Sequence, residues 1–180
     1  MMDRLARLQS TIGEINSKFP QVSSLTPRQV LTLQQEQPTT HKKVVFVDCR
    51  TREERQVSKI DPEALSEEEF LSQLESLKHE DIVVVSYCTI GYRSAEFVSK
   101  YQGSIDGKMY NLSGSLLSWI DEGYPVYRGE SGSSEKPEPV KEIHVWGKQF
   151  AQYAPEEYSC TYFKVPLWST MMAWVSKKLS

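Results

Sequence analysis

Apolar residues along the chain fall into short bursts whose spacing alternates between helix and strand periods. Leu5, Leu8, Ile12, Ile15 and Phe19 recur at steps of three and four, one stripe of an amphipathic helix that ends near Pro20. Gln21 to Leu25 can form a short first strand. Thr26-Pro27 then supplies an N-cap with proline at the first helical position, opening a helix through Val30, Leu31 and Leu33. Pro38 to Lys43 reads as a polar turn. Val44 to Val47 and Ile82 to Val85 are continuous apolar runs rich in β-branched residues, the mark of strands buried on both faces of a parallel sheet. Between them, Ser66 to Lys78 predicts a helix with a Ser66/Glu69 capping box and an inner face of Phe70, Leu71, Leu74 and Leu77. Helical spacing returns from Ser94, with Ala95, Phe97, Val98 and Tyr101 inward. Met109 to Leu112 is another short strand, and Leu116, Leu117, Trp119 and Ile120 lie on a helix that Gly123 and Pro125 terminate.

Beyond Arg128 the pattern changes. Gly129 to Pro139 has the composition of a flexible polar linker. The remainder carries Trp146, Phe150, Tyr153, Tyr158, Tyr162, Phe163, Trp168 and Trp174, too many aromatics for a solvated tail. Ile143 to Trp146 reads as extended. Trp168, Met171, Met172, Val175 and Leu179 form an apolar stripe. This extension either packs back on the preceding domain, the favoured reading, or docks a protein partner.

Composition narrows the class. A chain of 180 residues, 39% hydrophobic and 25% charged, supports one globular domain with extensions. A net charge of −3 argues against a binder of nucleic acid or of acidic membrane. The apolar runs are too short to span a bilayer, and no secretory h-region is present. Asp3 and Glu14 count against a transit peptide. Three cysteines, Cys49, Cys88 and Cys160, have no zinc-type spacing and suit a reducing compartment, cytoplasmic or alternatively organellar. His41, His79 and His144 stand alone, and no metal site is expected.

The chemistry concentrates in Cys88-Thr89-Ile90-Gly91-Tyr92-Arg93-Ser94, between a buried strand and a helix. A thiol there lies at the carboxyl end of a parallel strand, where open α/β sheets bind ligands. It also faces a helix amino terminus, whose N–H groups and dipole favour an anion. Such a setting lowers a thiol pKa and makes Cys88 a candidate nucleophile. Gly91 allows a tight curl, Arg93 adds a fixed positive charge beside the thiol, and Ser94 can cap the following helix.

These residues carry a family resemblance. Cys88 to Ser94 resembles the active-site loop of rhodaneses, single-cysteine sulfurtransferases whose nucleophile carries a persulfide. Val44 to Thr51, V-V-F-V-D-C-R-T, resembles the family's second strand and its Asp-x-Arg turn. Tyr110 to Val126 resembles its closing strand, Gly-containing turn, tryptophan-bearing helix and Gly-x-Pro exit. The resemblance implies an α/β fold with a parallel sheet of about five strands and helices on both faces. With the patterns above, the chain divides into an amphipathic helix (1–20), a rhodanese-like domain (21–128), a linker (129–139) and an extension (140–180). Departures exist: Val57 to Ala64 lacks the family's Gly-His-Ile and Pro-Gly-Ala, and Gly114-Ser115 stands where Gly-Gly is frequent.

The function implied is transfer of sulfane sulfur from a donor such as thiosulfate to a thiol or cyanide, with no cofactor. Cys88 and Arg93 are then catalytic, and Thr89, Ile90, Gly91, Tyr92 and Ser94 form the substrate-binding loop. Asp48 and Arg50 brace that loop, Asp48 by accepting backbone N–H groups after its strand. One rival is a cysteine phosphatase or arsenate reductase, but those enzymes place one more residue between Cys and Arg. The other is a non-catalytic rhodanese-like binding module, against which Cys88 and Arg93 are both retained. Cys49 invites two readings: a small residue filling a strand end, which is preferred, or a thiol that resolves an oxidised or persulfidated Cys88.

Overall fold

A computed structural model describes residues 3–40, 43–128 and 137–163, the side chains of 37–40 excepted. Its centre is a five-stranded, all-parallel sheet: β1 (Ser24–Leu25), β2 (Lys43–Asp48), β3 (Leu65–Ser66), β4 (Ile82–Tyr87) and β5 (Lys108–Leu112), in the order β1-β5-β4-β2-β3. The central strand β4 is buried along its whole length, as a continuous apolar run requires. It extends past the expected Val85 because Ser86 and Tyr87 keep pairing with Val47 and Asp48.

Alternation along the strands feeds two cores, one on each face. Phe46, Val83, Val85 and Tyr87 point to one side, where α1 (Arg4–Lys18), α2 (Pro27–Thr40) and α7 (Ser115–Asp121) pack. Leu8, Ile12 and Ile15 of α1 are buried in that core, while Leu5 at the edge of the stripe stays exposed. Val45, Val47, Cys49, Val84 and Cys88 point to the other side, together with Phe70, Leu77, Phe97 and Val98 from α4 (Glu67–Ser72), α5 (Leu74–Leu77) and α6 (Tyr92–Tyr101).

Several elements differ from expectation. The turn read at Pro38 to Lys43 is helical through Thr40; in the last turn a proline removes a single helical hydrogen bond. The helix read over Ser66 to Lys78 keeps its capping box but breaks at Gln73 into α4 and α5. A further helix, α3 (Arg52–Val57), follows β2 and starts with its own capping box between Thr51 and Glu54.

In the linker range, Glu138 and Pro139 belong to a strand, β7 (Glu138–Val140), antiparallel to β6 (Val126–Arg128). The extension then forms β8 (Glu142–His144), α8 (Lys148–Ala151) and β9 (Ser159–Thr161), with β8 and β9 parallel. Ile143, Val145, Ala154 and Tyr158 join the first core, and Arg4 ties α1 to α7 through Asp121 and to this region through the Tyr153 carbonyl. The stripe from Trp168 to Leu179 lies outside the described residues. No helix of the described residues is long and apolar enough to cross a membrane.

Candidate active site

The loop after β4 is built to fix a thiol. Gly91 closes it at φ 108°, a conformation that L side chains rarely adopt, and serves as the N-cap of α6. Its N–H donates to Cys88 Sγ at 3.2 Å. The loop is also anchored from below by the first turn of α7, where the Leu116 and Leu117 N–H groups donate to the carbonyls of Cys88 and Thr89. The Cys88 N–H donates to Ser115 Oγ at 3.1 Å, and Ser115 Oγ donates onward to the Leu112 carbonyl. Ser115 holds this place at φ 51°. Gly114 beside it leaves no room for a Cβ, which would stand 1.9 Å from Ser118 Oγ.

Cys88 is 2% exposed. Burial alone would raise its pKa, but the Arg93 charge and the N–H groups of Ser94 and Gly91 outweigh it and hold the thiol below its ordinary value. Cys49 and Cys160 go the other way, both pushed up by burial. Of the three cysteines, Cys88 is the one whose pKa is lowered.

Arg93 is not a free charge. Its Nη1 and Nη2 donate to Glu54 Oε2 and Oε1, each at 2.8 Å, and Nη2 also reaches Thr89 Oγ1. Glu54 is 0% exposed, and its Oε2 accepts the Thr51 N–H in the α3 capping box as well. Burial would raise the Glu54 pKa, yet the hydrogen bonds and charge of Arg93 bring it below its usual range. On the outer side Arg93 lies over the Trp146 ring, 4.8 Å from its centroid. Sequence reasoning missed both Glu54 and Trp146. The Thr51-x-x-Glu54 spacing was the available signal for the first, while nothing local to Trp146 marks its place over Arg93.

The remaining residues separate by role. Thr89 hydroxyl joins the Glu54–Arg93 pair. Ile90 turns into the first core, and Tyr92 is exposed and packs on Phe19, so these two give the loop backbone rather than a wall. Ser94, expected as a helix cap, sits inside α6 and donates its hydroxyl to Asn111 Oδ1 at 2.7 Å. Asp48 and Arg50 form a fully buried two-point pair, Nε to Oδ1 at 2.9 Å and Nη2 to Oδ2 at 2.7 Å. Asp48 also accepts the Arg50 N–H, and Arg50 continues to the Ser58 carbonyl and lies over the Tyr87 ring. That pair ties the end of β2 to the strand that carries Cys88.

A cleft of about 780 Å³ opens beside this site, lined among others by Cys49, Arg50, Arg55, Lys59, Glu67 and Arg93. Cys88 is not among its lining residues. Among the described residues no group of three or more His, Cys, Asp or Glu is placed to hold a metal.

No protein-family model and no curated protein sequence matches the chain. Solved structures do. Thiosulfate sulfurtransferase from Pseudomonas aeruginosa superposes with a TM-score of 0.53 at 17% identity, covering 71% of this chain and 25% of that one. The homodimeric polysulfide-sulfur transferase of Wolinella succinogenes covers 75% of this chain and 100% of its own, at 19% identity and a TM-score of 0.48. A protein of unknown function from Rhodopseudomonas palustris, described as a possible tyrosine phosphatase, is 26% identical with a TM-score of 0.46 and covers 66% and 92%. The match to the Pseudomonas enzyme spans a quarter of that protein's length and, with the sheet order, defines the architecture. The chain has the rhodanese-like fold.

Proposed function

We propose that the protein is a sulfurtransferase that carries sulfane sulfur on Cys88. The observation that carries this reading is the Cys88 thiol itself, at the end of the central strand, with its pKa lowered by Arg93 and by the Ser94 and Gly91 N–H groups. The Cys88 thiolate attacks the outer sulfur of thiosulfate, the sulfur–sulfur bond breaks, and sulfite leaves with the bonding pair. The resulting persulfide holds its charge on the outer sulfur, where N–H donors stabilise it without protonating it. A thiolate or cyanide acceptor then takes that sulfur and returns Cys88 as thiolate, two half-reactions of covalent catalysis. The four residues from Thr89 to Tyr92 make a small ring, which favours a single sulfur over a tetrahedral oxyanion. In this reading Arg93 stabilises the thiolate and Glu54 fixes Arg93, while Asp48 and Arg50 brace the loop from β2.

A non-catalytic rhodanese-like module is the second reading, favoured by the burial of Cys88 and by the commitment of Arg93 to Glu54. A cyanolysis assay separates the two. Sulfur transfer predicts that thiocyanate forms from thiosulfate and cyanide with ping-pong kinetics and that Cys88→Ser abolishes it; no turnover with thiosulfate or with polysulfide supports the module.

A further inference from the structure

The site described so far leaves a second sulfur unused. Strands β2 and β4 pair in parallel register up to Asp48 opposite Tyr87, and Cys49 and Cys88 are the residues that follow each strand end. The Cys49 N–H donates to the Tyr87 carbonyl at 2.8 Å, which keeps that register through the ends of both strands. Residues opposite one another on parallel strands point to the same face, and both cysteines enter the same apolar core, with Val45, Val47 and Val84. Neighbouring strands lie about 4.8 Å apart, inside the roughly 4.4–6.8 Å range of Cα separations that a disulfide spans.

The two thiols are prepared in opposite ways. Arg93 and the loop N–H groups favour the anion at Cys88. Burial, then the charges of Glu67 and Cys88, push the Cys49 thiol up. Cys49 and Glu67 both line the cleft, whereas Cys88 does not.

We propose that Cys49 is a second reacting thiol of this site, one that resolves the Cys88 persulfide. The step rests on the sulfur-transfer reading. Cys49 Sγ attacks Cys88 Sγ, the inner sulfur; the bond from Cys88 to the outer sulfur breaks, and the outer sulfur departs as HS⁻. The Cys49 proton goes to the departing sulfide. The sulfane sulfur is reduced to sulfide, and the two cysteines are oxidised to a Cys49–Cys88 disulfide. Two equivalents of a low-molecular-weight thiol then restore both cysteines and leave as their own disulfide. The protein thereby gains a second outlet for bound sulfur: release as sulfide, in place of transfer to an acceptor.

The test uses the full chain, reduced, freed of thiol, and loaded with thiosulfate or in parallel with inorganic polysulfide. After the donor is removed, intact mass, released sulfide and non-reducing peptide maps are followed for the parent, Cys49→Ala and Cys49→Ser. The expected result is a short-lived one-sulfur adduct in the parent, replaced by a Cys49–Cys88 peptide with up to one sulfide released per chain. In both variants the adduct should persist at least tenfold longer, with no bridged peptide. A parent adduct as long-lived as that of the variants, with no bridge, overturns this step and leaves sulfur transfer standing. Absence of any adduct on Cys88, in parent and variants alike and with both donors, overturns the sulfur-transfer reading together with this step.

Discussion

Arg93 closes a two-point ion pair on Glu54, a carboxylate with no solvent exposure, while its own side chain remains 26% exposed. The pair joins the helix after the Cys88 loop to the helix after β2, and makes the charge beside the thiol a fixed feature of the fold. Removing one partner of such a pair strands the other in the interior. Arg93→Ala is therefore expected to lose about 2–3 kcal/mol of stability, somewhat less than for a fully buried pair because Arg93 is partly hydrated. Urea unfolding measures it; a loss under about 1 kcal/mol, the scale of surface pairs, would show that water reaches Glu54.

Acid should reveal the same carboxylate. The folded pKa of Glu54 is held below its unfolded value, so its contribution is complete above the unfolded pKa, about 4.3, and disappears as pH falls through the folded one. Parent stability should thus fall more steeply below that pH than the stability of Glu54→Gln, and the gap between them should narrow. Parallel curves across the acid range would remove Glu54 from the account.

The thiolate itself gives a third measurement. Ultraviolet absorbance of thiolate, followed against pH, should show one group titrating below the usual cysteine range and missing from Cys88→Ser. Cys49 and Cys160, both raised, should ionise later. Arg93→Gln should move the early step upward, since Arg93 is the largest influence that favours the anion.

Ser115 offers a test of the loop's support. Its hydroxyl accepts the buried Cys88 N–H, so Ser115→Ala is expected to cost about 1–3 kcal/mol, the range for an orphaned buried donor. Ser115→Gly loses the same bond but relieves the positive φ, and should be the less damaging of the two. Thermal unfolding ranks them; the reverse order would contradict the strain.

Much of this was legible in the chain. The runs at Val44 and Ile82 foretell buried parallel strands because such strands need apolar residues on both faces. The Cys88 loop is equally readable, since strand, glycine and helix follow within a few residues. Glu54 was harder to see: in T-R-E-E-R-Q it has the look of a solvated charged run, and its burial follows from a partner 39 positions away. Trp146 is more distant still. Its place over Arg93 depends on β8 packing against α3, a long-range contact that local periodicity does not encode. Ser94 illustrates the converse, a residue suited to capping that is claimed by Asn111.

The central claim, that Cys88 accepts sulfane sulfur, is tested most directly by intact mass spectrometry immediately after brief exposure to thiosulfate. The parent should gain one sulfur atom, mapped to the peptide of Cys88 and removed by cyanide, and Cys88→Ser should gain none. An equal gain in Cys88→Ser, or an adduct that maps to Cys160, would contradict it.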